Sequence, residues 1–199
     1  MATSSSSPTD LDAWLEAVLA TPGLTAIRDP GHAQELLLED ALRALPLLGR
    51  FAGPLVDVGS GGGTPGIPLA VALPEREVTL LEAEQRKCDF LQRWAPASAT
   101  VVWGRAEEQP LEAWGVALAK ALARPPVAAE WCLPLVREGG AALLWVGEKA
   151  DLAALSRASE LLGGGEPELH DGIAVLRKVA PTPAGFPRRT GVAKKRPLA

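Results

Sequence analysis

The segment from residue 55 to residue 66 constrains the fold of this 199-residue chain more than any other. It opens with Leu55–Val58, a short apolar run around one aspartate, which predicts a buried strand. Five glycines and Pro65 follow, and they lead into an apolar stretch that predicts a helix. A strand, a glycine-rich turn and a helix in this order are typical of the first unit of a nucleotide-binding α/β fold.

The rest of the chain predicts a regular alternation of strands and helices. We expect strands at about 77–82, 100–103, 116–119, 141–146 and 173–176, and helices at about 11–19, 31–45, 84–94 and 149–162. A further helix is expected to begin at Pro125 and to end at Gly139-Gly140. This alternation indicates an α/β protein with a mostly parallel sheet that is covered by helices on both faces.

The chain is predicted to form a single domain between two atypical ends. Residues 1–8 are rich in serine and threonine, and we expect them to be disordered. The domain would span residues 9–180, with N-terminal helices over 9–50 and the α/β core over 51–180, and a basic tail would cover 181–199. No apolar run reaches the length of a membrane span. We expect a cytoplasmic monomer that has no membrane partner.

Two glycine patterns overlap in the turn after the first strand, and they indicate different ligands. Residues 61–66 satisfy the G-x-G-x-x-G pattern of dinucleotide-binding proteins. However, Pro65 and Pro68 remove two of the backbone N–H donors that a pyrophosphate at a helix start requires. An aspartate followed by alternate glycines instead resembles the first motif of S-adenosylmethionine (SAM) methyltransferases: Asp57, Gly59, Gly61 and Gly63. SAM carries no phosphate, and a nearby carboxylate suits its ammonium group.

Glu82 stands at the end of the second predicted strand. A carboxylate at this position can accept hydrogen bonds from both hydroxyls of a ribose. NAD and SAM both contain an adenosine ribose, so Glu82 supports a nucleoside ligand without deciding between the two.

A family resemblance becomes specific when four segments are taken together. They are Leu24–Pro30, the Pro-Gly-Ile-Pro of the glycine turn at 65–68, Lys87 with Phe90-Leu91, and Gly104–Glu108. In this order and spacing the chain resembles the bacterial 16S rRNA guanine-N7 methyltransferases, the glucose-inhibited-division protein B family, over about residues 23–178. The resemblance implies a Rossmann-like SAM-dependent fold with an antiparallel last strand. It also implies SAM as the cofactor and 16S rRNA, or the small ribosomal subunit, as the partner.

The resemblance further implies two sets of site residues. The cofactor set is Asp57, Gly59, Ser60, Gly61, Gly63, Pro65, Gly66, Glu82, Ala106, Glu107 and Lys120. The RNA-binding set is Arg28, Arg105, Lys120, Arg188, Arg189, Lys194, Lys195 and Arg196. No catalytic acid or base is expected, because guanine N7 carries a lone pair and no proton. No metal site is expected either, since the chain has only two histidines, far apart, and its two cysteines lack a metal-ligand spacing.

Charge supports a polyanionic partner. Residues 177–199 contain seven basic residues and no acidic one, whereas the whole chain has a net charge of −4. A basic tail on an acidic body is typical of proteins that bind nucleic acid.

Several positions depart from the pattern of the family. This chain has Gly23, Leu37, Ala41, Lys120 and Val146 where the family usually has Asn, His, Ser, Arg and Lys. Because these positions belong to the acceptor side, one alternative is a divergent or weakly active RNA-binding relative. An NAD-dependent enzyme is a second alternative. Cytosine-C5 chemistry is not indicated, since Cys132 lies in an apolar segment, and Trp94, Trp103, Trp131 and Trp145 are predicted to be core residues.

Overall fold

The computed structural model describes residues 9–199, so the disorder predicted for residues 1–8 falls outside the described part of the chain. The strands are β1 (Leu55–Val58), β2 (Val78–Glu82), β3 (Ala99–Trp103), β4 (Trp114–Lys120), β5 (Val136–Trp145), β6 (Glu168–His170) and β7 (Ile173–Arg177). The helices are α1 (Leu11–Ala20), α2 (Pro30–Ala33), α3 (Asp40–Leu42), α4 (Leu45–Leu48), α5 (Gly66–Ala72), α6 (Gln85–Trp94), α7 (Pro125–Cys132), α8 (Leu152–Leu161) and α9 (Val192–Lys195).

The strands form one sheet in the order β3-β2-β1-β4-β5-β7-β6. Strands β1 to β5 pair in parallel, and β7 runs antiparallel to both of its neighbours, β5 and β6. The predicted α/β fold with an antiparallel last strand is confirmed. The chain moves from β1 to β2 on one side and later returns to place β4 on the other side. This reversal opens a crevice beyond the carboxyl ends of β1 and β4, where open α/β sheets bind ligands.

Alternate strand residues divide the core into two layers. Leu55, Leu80 and Leu118 belong to the layer that packs under α1, α5 and the other helices before β3. Val56, Ala117 and Leu144 belong to the opposite layer, which α7 and α8 cover. The period of two in a strand sends neighbouring side chains to opposite faces, so both faces of the sheet need an apolar cover.

The N-terminal helices are part of the first layer. Asp10 caps α1 by accepting hydrogen bonds from the backbone N–H groups of residues 12 and 13, and Trp14 of α1 is fully buried. The sequence predicts one helix over 31–45, but the structure has α2, a π-helical stretch over Gln34–Glu39, and α3 in succession. A π-helical stretch changes which side chains face the sheet.

The helix predicted from Pro125 to Gly139-Gly140 is wrong at its C-terminal end. Helix α7 ends at Cys132, a single 3-10 turn covers Leu133–Leu135, and β5 begins at Val136 and includes both glycines. The reason lies in the contact between β4 and β5. A Cβ on Gly140 would lie 2.2 Å from the carbonyl oxygen of Gly115, so this glycine permits a close approach of two strands.

The sequence also fails to predict β6, which has only three residues. The tail predicted over 181–199 packs on the domain: Phe186 and Leu198 contact the second core layer, and Ala193 of α9 is buried. In the part of the chain that the structure describes, no helix has the length and apolar character needed to cross a membrane.

Candidate functional site

The glycine turn after β1 is held by backbone hydrogen bonds to β2. The N–H groups of Gly59 and Ser60 both donate to the carbonyl oxygen of Leu81, at 2.8 and 3.1 Å. Gly61 follows with a φ of +56°, which glycine adopts without the steric penalty that other residues have. A Cβ on Gly61 would meet nothing closer than 3.8 Å, so open space lies in front of this residue.

The carboxylate of Glu82 is fixed by three backbone donors at the end of β2. It accepts hydrogen bonds from the N–H groups of Gly61, Ala83 and Glu84 at 2.9, 2.8 and 2.9 Å. An ionised carboxylate has about four acceptor positions, so it retains capacity for a ligand hydroxyl. Glu82 thus orients the glycine turn and also presents an acceptor to the space above it.

Asp57 lies below the turn. It is 1% exposed, and its Oδ2 accepts a hydrogen bond from the N–H of Gly66 at 3.1 Å. Burial raises the pKa of this carboxyl to about 7. A Cβ on Gly66 would lie 2.7 Å from the same oxygen, so glycine is required for this contact. The structure therefore gives Asp57 a role in holding the start of α5, which the sequence did not predict.

The start of α5 offers no free donor to a pyrophosphate. Pro65 and Pro68 have no N–H, Gly66 donates to Asp57, and the N–H of Ile67 donates to the carbonyl oxygen of Gly63 at 2.7 Å. Pyrophosphate binding at a helix start depends on free N–H groups. This first turn therefore counts against the NAD-dependent alternative.

Two contacts from the N-terminal helices hold the far side of the glycine turn. The indole N–H of Trp14 donates to the carbonyl oxygen of Gly62 at 2.9 Å, and the hydroxyl of Thr64 donates to the carbonyl oxygen of Leu37 at 2.7 Å. Sequence reasoning missed both contacts, because each joins residues far apart in the chain. A buried tryptophan needs a partner for its N–H, but the sequence does not say which one.

A cavity of about 780 Å³ lies above the glycine turn. This volume is within the range of about 300–1,000 Å³ that ligands of drug size occupy. Most of the predicted cofactor residues line it: Gly59, Ser60, Gly61, Glu82, Ala106, Glu107 and Lys120. From the predicted RNA-binding set, Arg105, Lys120 and Lys194 also line it.

The other predicted site residues lie elsewhere. Asp57, Gly63, Pro65 and Gly66 are buried and do not line the cavity. Arg28, Arg189, Lys195 and Arg196 are exposed on the surface. Arg188 forms a two-point ion pair with Glu130, which is 1% exposed, and this pair raises the pKa of the arginine.

A second cavity of about 370 Å³ adjoins the first. Lys120 and Ala121, which follow one another at the end of β4, line both cavities. Lys120 forms an ion pair with Asp40 in α3, and Trp145 donates its indole N–H to the carbonyl oxygen of Asp40 at 3.3 Å. Ala121 has a φ of +53°, which is uncommon outside glycine and is found at functional sites.

The tryptophans are less uniformly buried than the sequence predicts. Trp103 is 65% exposed, and Trp131 and Trp145 are half-buried at the walls of the first and second cavities. In contrast, Cys132 is fully buried, as predicted, and burial raises the pKa of its thiol. A buried neutral thiol is a poor nucleophile. Among residues 9–199, no three side chains of His, Cys, Asp or Glu cluster as metal ligands.

The solved 1,6-didemethyltoxoflavin N1-methyltransferase of Burkholderia thailandensis, which contains bound S-adenosylhomocysteine, has the same fold. Its TM-score is 0.55 at 16% identity, and the match covers 90% of this chain and 94% of that one. This likeness shows a shared fold, and together with a family match over residues 11–165 it defines a SAM-dependent methyltransferase.

Within that class, the chain belongs to the GidB family, described as rRNA small subunit methyltransferase G, which it matches over residues 11–165. One relative is the ribosomal RNA small subunit methyltransferase G of Synechococcus sp. strain JA-3-3Ab, with 42% identity over 205 residues. The match covers 89% of this chain and 79% of that protein. The protein of the same name from Synechococcus elongatus is 37% identical over 206 residues, which cover 88% and 82% of the two chains.

Proposed function

We propose that this chain transfers a methyl group from SAM to N7 of a guanine in 16S rRNA. The observation that carries the proposal is a cofactor cavity that adjoins a second cavity, and no histidine, the most common general base, lines either of them. Neither His32 nor His170 lines the larger cavity, and Glu82 is already engaged by three backbone donors. Methyl transfer to a lone pair needs no general base, whereas methylation of an amino group or hydroxyl must release a proton.

SAM supplies a methyl group on a positively charged sulfur, and S-adenosylhomocysteine remains after the transfer. Glu82 would accept a ribose hydroxyl, and Gly61 would let the ligand approach the backbone. Ala106 and Glu107 follow β3 and would hold the nucleoside beyond Glu82. Four of the predicted cofactor residues would act indirectly, by holding the glycine turn in shape without touching the ligand: Asp57, Gly63, Pro65 and Gly66.

The second cavity is the proposed place of the guanine. Lys120 and Ala121 line both cavities, so the second cavity adjoins the cofactor cavity at these two residues. Trp145, which also lines the second cavity, has a ring on which a base can stack. Placing N7 in line with the methyl group and excluding water would account for catalysis without an ionising side chain. Positive charge develops on the guanine ring during transfer, and the acidic residues Glu148 and Asp171, which line this cavity, would favour it.

The remaining basic residues would bind RNA phosphates rather than the base. Arg105 lines the larger cavity, Arg28 is exposed next to Ile27, which also lines it, and Arg189, Lys195 and Arg196 are exposed on the tail. Contacts of this kind position the RNA and weaken as salt rises. We further propose that the chain acts as a monomer in the cytoplasm, on 16S rRNA alone or in the small ribosomal subunit.

The test is direct methylation of RNA. The protein is incubated with SAM and with small ribosomal subunits, or their RNA, from cells that lack this modification. The RNA is then digested, and 7-methylguanosine is measured by mass spectrometry. The proposal predicts new 7-methylguanosine at one site.

A matched substrate control separates N7 from every other acceptor. A transcript made with 7-deazaguanosine keeps the shape and pairing of the RNA but lacks the N7 lone pair, so it should accept no methyl group. Methylation of that transcript would refute the assignment of N7. SAM binding without any RNA product would favour the divergent relative, in which Lys120 replaces the arginine that is usual in the family.

A further inference from the structure

The C-terminal segment, residues 181–199, lies beyond the part of the chain that matches the family, yet it reaches the cofactor cavity. Lys194 of α9 lines that cavity, and its Nζ lies 5.5 Å from the centre of the Trp131 ring. The indole N–H of Trp131 donates in turn to Oε1 of Glu107 at 3.1 Å. Residues from the turn after β3, from α7 and from α9 thus form one continuous wall.

The position of this wall indicates which half of the cofactor it faces. The second cavity opens at Lys120, at the end of β4, so the methyl group must point toward that side. Glu82 is the last residue of β2 and Glu107 follows β3, and these two strands lie on the other side of β1 in the sheet. The nucleoside half therefore belongs beside β2 and β3, and Lys194 stands on that side with Trp131.

A buried ion pair holds the segment in place. Nε of Arg188 donates to Oε1 of Glu130 at 2.6 Å, and its second nitrogen contacts the other carboxylate oxygen. Glu130 is 1% exposed and immediately precedes Trp131 in α7. Ala193, next to Lys194, is 2% exposed. A buried carboxylate requires a partner, so Arg188 fixes the segment against α7 and with it the position of Lys194.

We propose that this segment is the outer wall of the nucleoside half of the SAM site, and that Lys194 contacts the adenine. Adenine offers acceptor nitrogens and an aromatic face, and an ammonium group interacts favourably with both. Arg188 and Glu130 act as positioning residues. The inference rests on the proposed use of SAM. It assigns Lys194 to the cofactor, whereas the sequence assigned it to RNA.

The experiment measures ligand affinity by calorimetry in the absence of RNA. The probes are S-adenosylhomocysteine and 5′-methylthioadenosine, which share the nucleoside but differ in the amino-acid end. We expect Lys194→Ala to weaken both ligands by about three- to tenfold, the size of one cation–aromatic or charge-assisted contact. Lys149→Ala is the matched control: it removes the same charge from an exposed lysine that lines neither cavity, and it should change neither affinity.

A second variant tests the ion pair without leaving a buried charge. Glu130→Gln combined with Arg188→Gln should weaken both ligands as Lys194→Ala does, and adding Lys194→Ala to it should cause little further loss. Thermal unfolding of each variant verifies that it is folded. Unchanged affinity in Lys194→Ala would overturn the inference, as would a loss confined to S-adenosylhomocysteine or seen only with RNA. If the wild-type protein binds neither ligand, the proposed function itself fails.

Discussion

The buried carboxyl of Asp57 makes a specific prediction about stability and pH. Its pKa is about 7 in the folded protein, against an ordinary value of 3.8, because burial penalises the charged form. Between pH 3.8 and about pH 7, this carboxyl is mostly ionised in the unfolded chain but mostly protonated in the folded one, so the unfolded chain binds fewer protons. Stability therefore falls as pH rises, by about 1.4 kcal/mol per pH unit. The residue is 1% exposed, so solvent screens this effect little.

The perturbation is Asp57→Asn, which removes the titration and keeps an oxygen that can accept from Gly66. From pH 5 to pH 8 the wild-type protein should lose about 2–3 kcal/mol of stability relative to this variant. The comparison concerns only the change with pH, so a constant offset between asparagine and aspartate does not affect it. Most of the change should fall below pH 7, where the folded carboxyl still holds its proton.

The assay is urea unfolding at several pH values, with free energies from linear extrapolation. Asp89→Asn, which changes an exposed aspartate of α6, is the control, and its curve should run parallel to that of the wild type. Parallel curves for the wild type and Asp57→Asn would refute the reasoning, because they would mean that Asp57 titrates at an ordinary pKa in the folded protein.

Three further substitutions test other contacts of the site. Trp14→Phe leaves the carbonyl oxygen of Gly62 without its donor, so urea unfolding should show a loss of about 1–3 kcal/mol of stability. Calorimetry should also show weaker SAM binding. Unchanged affinity would show that SAM binding does not need this contact. Gly61→Ala should cost only about 1–2 kcal/mol of stability for its left-handed backbone but reduce SAM affinity at least about tenfold, since its methyl group would enter the cavity. Normal calorimetric affinity in this variant would contradict that geometry. Arg188→Ala leaves the buried carboxylate of Glu130 without its charged partner and should lower the free energy of unfolding by about 3–5 kcal/mol, as measured by urea unfolding. The double variant with Glu130→Gln should lose less stability. Equal losses in the two variants would be evidence against a buried charge on Glu130.

The sequence predicts those parts of the site that are local in the chain. The strand, the glycine turn and Glu82 follow from short spacings, because backbone geometry decides them within a few residues. Asp57 shows the limit of such reasoning. The sequence correctly predicts that Asp57 lies in the first strand. Its side chain, however, accepts a hydrogen bond from Gly66 at the start of α5, and the spacing of residues does not reveal that direction.

The parts that could not be predicted depend on residues far apart in the chain. Trp14 and Gly62 are 48 residues apart, and Arg188 and Glu130 are 58 apart. Neither pair has a local signal. The start of β5 is a similar case. From the sequence, Gly140 is typical of a helix end, whereas in the structure it lies in β5 and must be glycine because β4 approaches it closely.

The two contacts between the N-terminal helices and the glycine turn have a consequence for how this protein can be divided. Trp14 and Leu37 belong to residues 9–50, yet they hold Gly62 and Thr64 of the turn that begins at Gly59. A fragment starting at Phe51 would keep every glycine of the motif and lose both of these anchors. It would also remove Trp14, Leu15 and Val18 from the core layer to which Leu55 of β1 belongs. The N-terminal helices and the α/β core are therefore not independent modules. A chimera that takes its N-terminal helices from another protein must keep the contacts to Gly62 and Thr64.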